Sequence, residues 1–137
     1  MINKVILIGN LGKDPEVRVL ENGAKVAKFT LATHERYRDK NGEWQQQTEW
    51  HDIVLWRELA ERAEATLRKG TPVYIEGKLT HRTWQDADGK NRKETEVVVN
   101  TFRNLAPRRD DDNKSENSQG GDQPIYLPDA ADDDLPF

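Results

Sequence analysis

Two periods organise the apolar positions of this chain. Across residues 45–56 and 72–84 side chains alternate between two faces, the pattern of a β-strand. Trp50, Asp52, Val54 and Trp56 fall on one side of the first segment, and His51, Ile53 and Leu55 on the other. In the second, Val73, Ile75 and Leu79 point one way, while Tyr74, Glu76, Lys78, Arg82 and Trp84 point the other. From Arg57 to Lys69 the spacing changes. Leu59, Ala63 and Leu67 recur at intervals of four and share one helical face. Glu58 before Arg62, and Glu64 before Arg68, have the charge order that favours such a helix. Arg68 and Lys69 suit its C-terminal dipole, and Gly70 its stop.

Turn chemistry sets the remaining boundaries. Glu21-Asn22-Gly23, Lys40-Asn41-Gly42 and Asp86-Ala87-Asp88-Gly89 supply the positive φ angles of tight hairpins, each flanked by strand-like sequence. Reading outward predicts strands near 3–11 (resuming at 17–20), 24–34, 45–56, 72–84 and 92–102. Val97, Val98 and Val99 suit a strand covered on both faces. Three strands, a helix and two more strands is the order of an all-β OB-fold, a five-stranded Greek-key barrel with one helix between strands 3 and 4. A ferredoxin-like fold would want a second helix, and no such pattern precedes residue 105.

Beyond Leu105 the character of the chain changes. Pro107-Arg108-Arg109 runs into Asp110-Asp111-Asp112 and then polar sequence to Gln123, which buries too little to offset its ordering entropy. The expected organisation is a binding domain over 1–105, a disordered linker over 106–131 and an acidic terminal peptide over 132–137. The net charge of -4 hides a split between these parts. Residues 1–109 hold 20 of the 21 Lys+Arg and 16 of the 25 Asp+Glu, so the body is basic and the tail strongly acidic. Ile125, Tyr126, Leu127, Leu135 and Phe137 return apolar side chains to that tail as candidate docking points. The apolar run Val5-Ile6-Leu7-Ile8 is too short for a leader or a membrane span, so the expected location is the cytoplasm.

The candidate chemistry is binding rather than catalysis. With no cysteine, and with His34, His51 and His81 lacking ligand spacing, neither a metal nor a cofactor is expected. Nucleotide-cradling and hydrolase motifs are absent, and the carboxylates do not converge. Trp50 and Trp56 stand roughly 20 Å apart along one strand face, too far to stack on each other. With Trp84 beside Arg82, they form either a platform on which unpaired bases stack or an oligomer interface. Near the Asn41-Gly42 turn, Tyr37 lies among Arg36, Arg38 and Lys40, with Trp44 following. That hairpin reads as a basic aromatic flap, although Trp44 serves equally well as packing for its own partner strand. Stacking ignores base identity because every base has a π-face.

Several ordered stretches resemble the bacterial single-stranded DNA-binding protein family. They include residues 3–12 (NKVILIGNLG), 14–18 (DPEVR), 48–51 (TEWH), 67–70 (LRKG), 73–77 (VYIEG) and 95–100 (TEVVVN). The resemblance covers residues 2 to about 105 and resumes at Asp132-Asp133-Asp134-Leu135-Pro136-Phe137. It implies a homotetramer acting in DNA replication, recombination and repair, with Trp50, Trp56, Trp84 and Tyr37 stacking on bases. Trp56 stands where relatives often carry Phe, and Tyr37 where Trp is common. The resemblance also implies backbone contacts at Lys4, Arg18, Arg38, Lys40, Lys69 and Arg82. Glu58 and Thr83 replace lysines of some relatives. His51 and Tyr74 correspond to subunit-interface positions, and residues 132–137 to a peptide that docks partner proteins. Two rivals are an RNA-handling OB protein, against which the Leu135-Pro136-Phe137 tail argues, and an oligomeric scaffold that uses the tryptophan face only for assembly.

Overall fold

A computed structural model describes residues 1–107; the predicted acidic tail and its docking peptide lie outside the described residues. Six strands and one helix follow in order: β1 (Val5–Leu11), β2 (Glu16–Val19), β3 (Lys25–Arg38), β4 (Trp44–Trp56), α1 (Glu58–Thr66), β5 (Pro72–Gln85) and β6 (Asn91–Asn104). The sheet runs β1-β5-β6-β4-β3-β2, and a further β1–β3 pairing closes it. This is the expected five-stranded barrel, its first strand broken by residues 12–15 and resumed as β2. Closure pairs Asn10 with Ala32 and Leu11 with Leu31. It depends on Gly9, because a Cβ there would run into the Ala32 carbonyl. The β4–β6 pairing, Ile53 to Val97 and Val54 to Val98, is parallel.

Leu31, Ile53, Leu55, Leu67, Val73 and Ile75 fill the barrel, each less than 2 % exposed. α1 covers one end, burying Ala60 and Ala63. On β6 strict alternation would send Phe102 and Val99 to opposite faces. A bulge prevents this: Glu76 pairs with Thr101 but Gly77 with Val99, so Asn100 is left over and both apolar side chains point inward. Val98, expected to be fully covered, stays half-exposed while Val97 and Val99 are buried.

The helix is shorter than its periodicity predicts. Arg57 precedes it and Leu67 is already extended, since Leu67 must drop into the core beneath the helix end. The expected Glu58–Arg62 and Glu64–Arg68 pairs do not form among the described residues. Tertiary partners win instead. Arg62 donates to the Phe102 carbonyl at 2.8 Å and lies 4.1 Å over that ring. Glu64 takes the ammonium of Lys25 at 3.1 Å. Arg68 turns back to the Glu64 and Leu67 carbonyls, which lack helical donors. Leu79, expected with Val73 and Ile75, is 39 % exposed; it still pairs with Val97 but lies past Gly77, the last residue of β5 that β1 pairs with.

Two hairpin arms leave the barrel, β3–β4 and β5–β6. The first extends four residues past its predicted limit, to Arg38. Both tips use one device. Asp39 Oδ1 accepts the amides of Asn41 and Glu43, each at 2.9 Å, and Asp86 Oδ1 those of Asp88 and Lys90, each at 3.0 Å. Gly42 and Gly89 supply the positive φ that completes each turn. These bonds hold both carboxyls below the usual carboxylate range: Asp39 chiefly through the Glu43 amide, and Asp86 chiefly through Arg92.

Candidate nucleic-acid interface

The pleat of β4 fixes where its tryptophans point. Ile53 and Leu55 are sealed in the core, so Trp50 and Trp56 must project from the other face. They are 60 % and 43 % exposed, and Trp84 on the second arm is 42 % exposed, which excludes a core role for all three. Trp50 lies against the backbone of Gly12, where a Cβ would collide with the indole. Trp84 has the Arg82 guanidinium 5.1 Å from its ring centroid.

Between β2 and the outer face of β4 runs a groove of about 590 Å³. Val26 and Val54 line it with Trp56, and Arg18, Lys28, Arg82 and Glu96 supply charge. Val54 shares the tryptophan side of β4 as expected, yet it is buried where it lines this groove. Two of its three cations, Lys28 and Arg82, are engaged, while Arg18 makes no ion pair within 4 Å among the described residues. Arg82 donates to Glu94 at 2.6 Å and reaches Glu96 at 3.4 Å, and Lys28 also reaches Glu96 at 3.4 Å. Glu94 is the main cause of the raised Arg82 pKa.

The remaining predicted residues spread over other surfaces. Tyr37 is exposed on the β3–β4 arm, opposite Gln45 in the register. Its parity sets it on the Leu31 and His51 face, away from Trp44 and Trp50. Trp44 lies between Arg36 and Arg38, each 5.6 Å from its ring centroid, so it packs against its own partner strand. Arg38 further donates to the Gly42 carbonyl. Lys40 sits exposed at that tip, and Lys69 in the α1–β5 connection, where its amide donates to Asp14 at 2.7 Å. His51 Nε2 is 2.8 Å from the Thr33 hydroxyl. Lys4 and Tyr74, assigned to DNA and to an interface respectively, converge on one carboxylate, Glu76. Both contacts lower the Glu76 pKa; Lys4 rises mainly through its bond to Glu76, and Tyr74 mainly through desolvation. Beside this trio, Ile6 and Ile8 are 55 % and 63 % exposed.

The profile of the single-strand binding protein family matches residues 2–105, most of the chain. The chain belongs to that family. It is accordingly a single-stranded DNA-binding protein and not an enzyme. Among solved structures, it is similar to a Plasmodium falciparum SSB complex with ssDNA at 37 % identity and a TM-score of 0.68. That match covers 75 % of this chain and 92 % of the other. No helix among the described residues is long and apolar enough to cross a membrane.

Within this single-strand binding barrel, Lys28, Glu94, Glu96 and Gly12 escaped the sequence reading. Lys28 was within reach: counting back from the Asn41-Gly42 turn pairs it with Val54, between the two β4 tryptophans. Glu96 was not, because its place in the groove depends on the β4–β6 crossover pairing. Gly12 carries no signal of its own until the Trp50 ring is placed over it.

Proposed function

We propose that this single-stranded DNA-binding protein holds its strand with little regard for base sequence, stacking bases on Trp50, Trp56 and Trp84. The observation that carries the reading is three outward-facing indoles, with Arg18, Lys28 and Arg82 in the groove that Trp56 lines and Arg82 over Trp84. Arg82 and Arg18 receive phosphates along the groove; Arg38, Lys40 and Lys69 extend the basic surface, and Tyr37 adds a stacking partner on the arm. Lys4 belongs to the same set by resemblance, although its ammonium is engaged by Glu76. The test is titration with poly(dT) while tryptophan emission is followed. Strong quenching is expected, with Trp50→Ala and Trp84→Ala each costing about 1–3 kcal/mol, a general figure for single-strand binders rather than one worked from this chain. No quenching would instead support a scaffold.

The protein acts as a homotetramer in this reading, with His51 and Tyr74 at subunit contacts. Exposed Ile6 and Ile8 next to Tyr74 favour assembly through that face. Light scattering on the purified protein tests it, and a monomer overturns it. Residues 1–105 bind DNA and 106–131 act as a tether. Asp132, Asp133, Asp134, Leu135, Pro136 and Phe137 recruit replication, recombination and repair proteins in the cytoplasm, around the nucleoid. Apolar side chains beside a run of aspartates fit a pocket with a basic clamp. Deleting residues 132–137 is expected to abolish recruitment, and intact recruitment refutes the proposal.

A further inference from the structure

Arg57 is the one residue other than glycine with positive φ among the described residues, at φ 58° and ψ -118°. It follows Trp56 directly. In a continuing strand, two consecutive side chains would point to opposite faces. The positive φ takes Arg57 out of the strand conformation, and Arg57 lines the same cavity as Trp56. This cavity, of about 550 Å³, lies between the Asn22-Gly23 turn and the start of α1. Trp56 also borders the 590 Å³ groove described above, so one indole is a wall common to two spaces.

The charged side chains of the second cavity are Lys25, Arg57 and Glu58. Lys25 is engaged by Glu64 at 3.1 Å. Arg57 is exposed and makes no ion pair within 4 Å among the described residues. Arg82, by contrast, must give up Glu94 before it can meet a phosphate. We propose that the cavity beyond Trp56 is a further phosphate subsite of the single-strand path, with Arg57 as its phosphodiester ligand. A base stacked on Trp56 then has Arg82 on one flank and Arg57 on the other. The guanidinium fork matches two phosphate oxygens, and Arg57 has no ion pair to break first, although the Glu58 carboxylate lines the same cavity. The inference rests on stacking at Trp56 and names where the strand goes next. It also gives a use to a conformation that side chains seldom adopt.

Three substitutions separate the charge from the backbone. Arg57→Ala removes the cation and keeps the crowded φ, Arg57→Gly removes both, and Arg57→Lys keeps both. Each full-length variant is titrated with poly(dT) over a range of salt concentrations, and its melting temperature is recorded. One phosphate contact on a single strand contributes about 0.7 to the slope of log K against log salt. Arg57→Ala and Arg57→Gly are expected to lose that increment and to bind about fivefold more weakly at 0.1 M salt, which is the same contact expressed at one concentration. Arg57→Lys retains the slope. Arg57→Gly is expected to melt above the wild type while binding more weakly. Wild-type slope and affinity in both Arg57→Ala and Arg57→Gly overturn the subsite. If the wild type itself shows no tryptophan quenching, the stacking reading fails instead, so the two failures are distinguishable.

Discussion

Gly12 offers a way to move Trp50 without touching it. Carbon atoms in contact sit at about 3.5–4.0 Å, and a Cβ at Gly12 would fall well inside that range of the indole Cζ3. The same Cβ would come 2.8 Å from the Thr30 hydroxyl, so retreat toward β3 is closed. In Gly12→Ala the exposed indole must therefore yield, by more than about 1 Å, at an off-rotamer cost of order 0.5–1.5 kcal/mol. Its stacking contribution, about 1–3 kcal/mol, is then partly or wholly lost. The expected result is weaker binding to poly(dT), by at most roughly fivefold to 150-fold for complete loss of the contact, with Trp50→Ala as the upper bound. The assay is a double-mutant cycle read by quenching of the remaining tryptophans. In the Trp50→Ala background, Gly12→Ala should cost nothing further, because it acts through the ring already removed. An equal loss in both backgrounds would refute the reasoning. Gly9→Ala is the structural contrast: its Cβ meets backbone at the β1–β3 closure, so melting temperature should fall whether or not Trp50 is present.

Glu94→Gln frees Arg82 from its shortest partner; single-strand affinity should rise a few-fold and the salt slope steepen by about 0.7, whereas unchanged binding means Arg82 never meets phosphate. Ile53→Ala, at a site with no exposure, should destabilise the barrel by about 2–5 kcal/mol in denaturant melts. Asp39 and Asp86 have lowered pKa values, so their stabilisation is present above the ordinary carboxylate range of about 4 and is lost as pH falls through the lowered values. The protection factors of the Asn41, Glu43, Asp88 and Lys90 amides, taken against intrinsic exchange at each pH, should therefore fall below about pH 4, ahead of those in the barrel.

How much of this was legible beforehand follows from the range of each interaction. The hairpins at Asn41-Gly42 and Asp86-Gly89 are local, so their turns, the strand order and the outward face of Trp50 and Trp56 all read directly. The helix end was misread because Leu67 answers to the core rather than to the periodicity of α1. Arg62 and Arg68 likewise found carbonyls that no local charge pattern announces. The bulge at Asn100 and the placement of Glu96 depend on pairings between strands far apart in the chain. Tyr37 is the subtler case. Its chemistry suits stacking, but parity along β3 sets it on the other face of the arm from Trp44 and Trp50.

Glu96 is the buried polar residue of the described core, and it lies in the groove itself with Lys28 and Arg82 both turned toward it. The empty groove thus already contains an anion. A stray chloride or a free nucleotide gains little there, since it must displace a covalently supplied competitor and brings few other contacts. A long polymer is different, because each exchange at a cation is accompanied by another ring laid on an indole. With bases stacked as proposed above, the resident carboxylate would set a threshold that favours long strands over small anions.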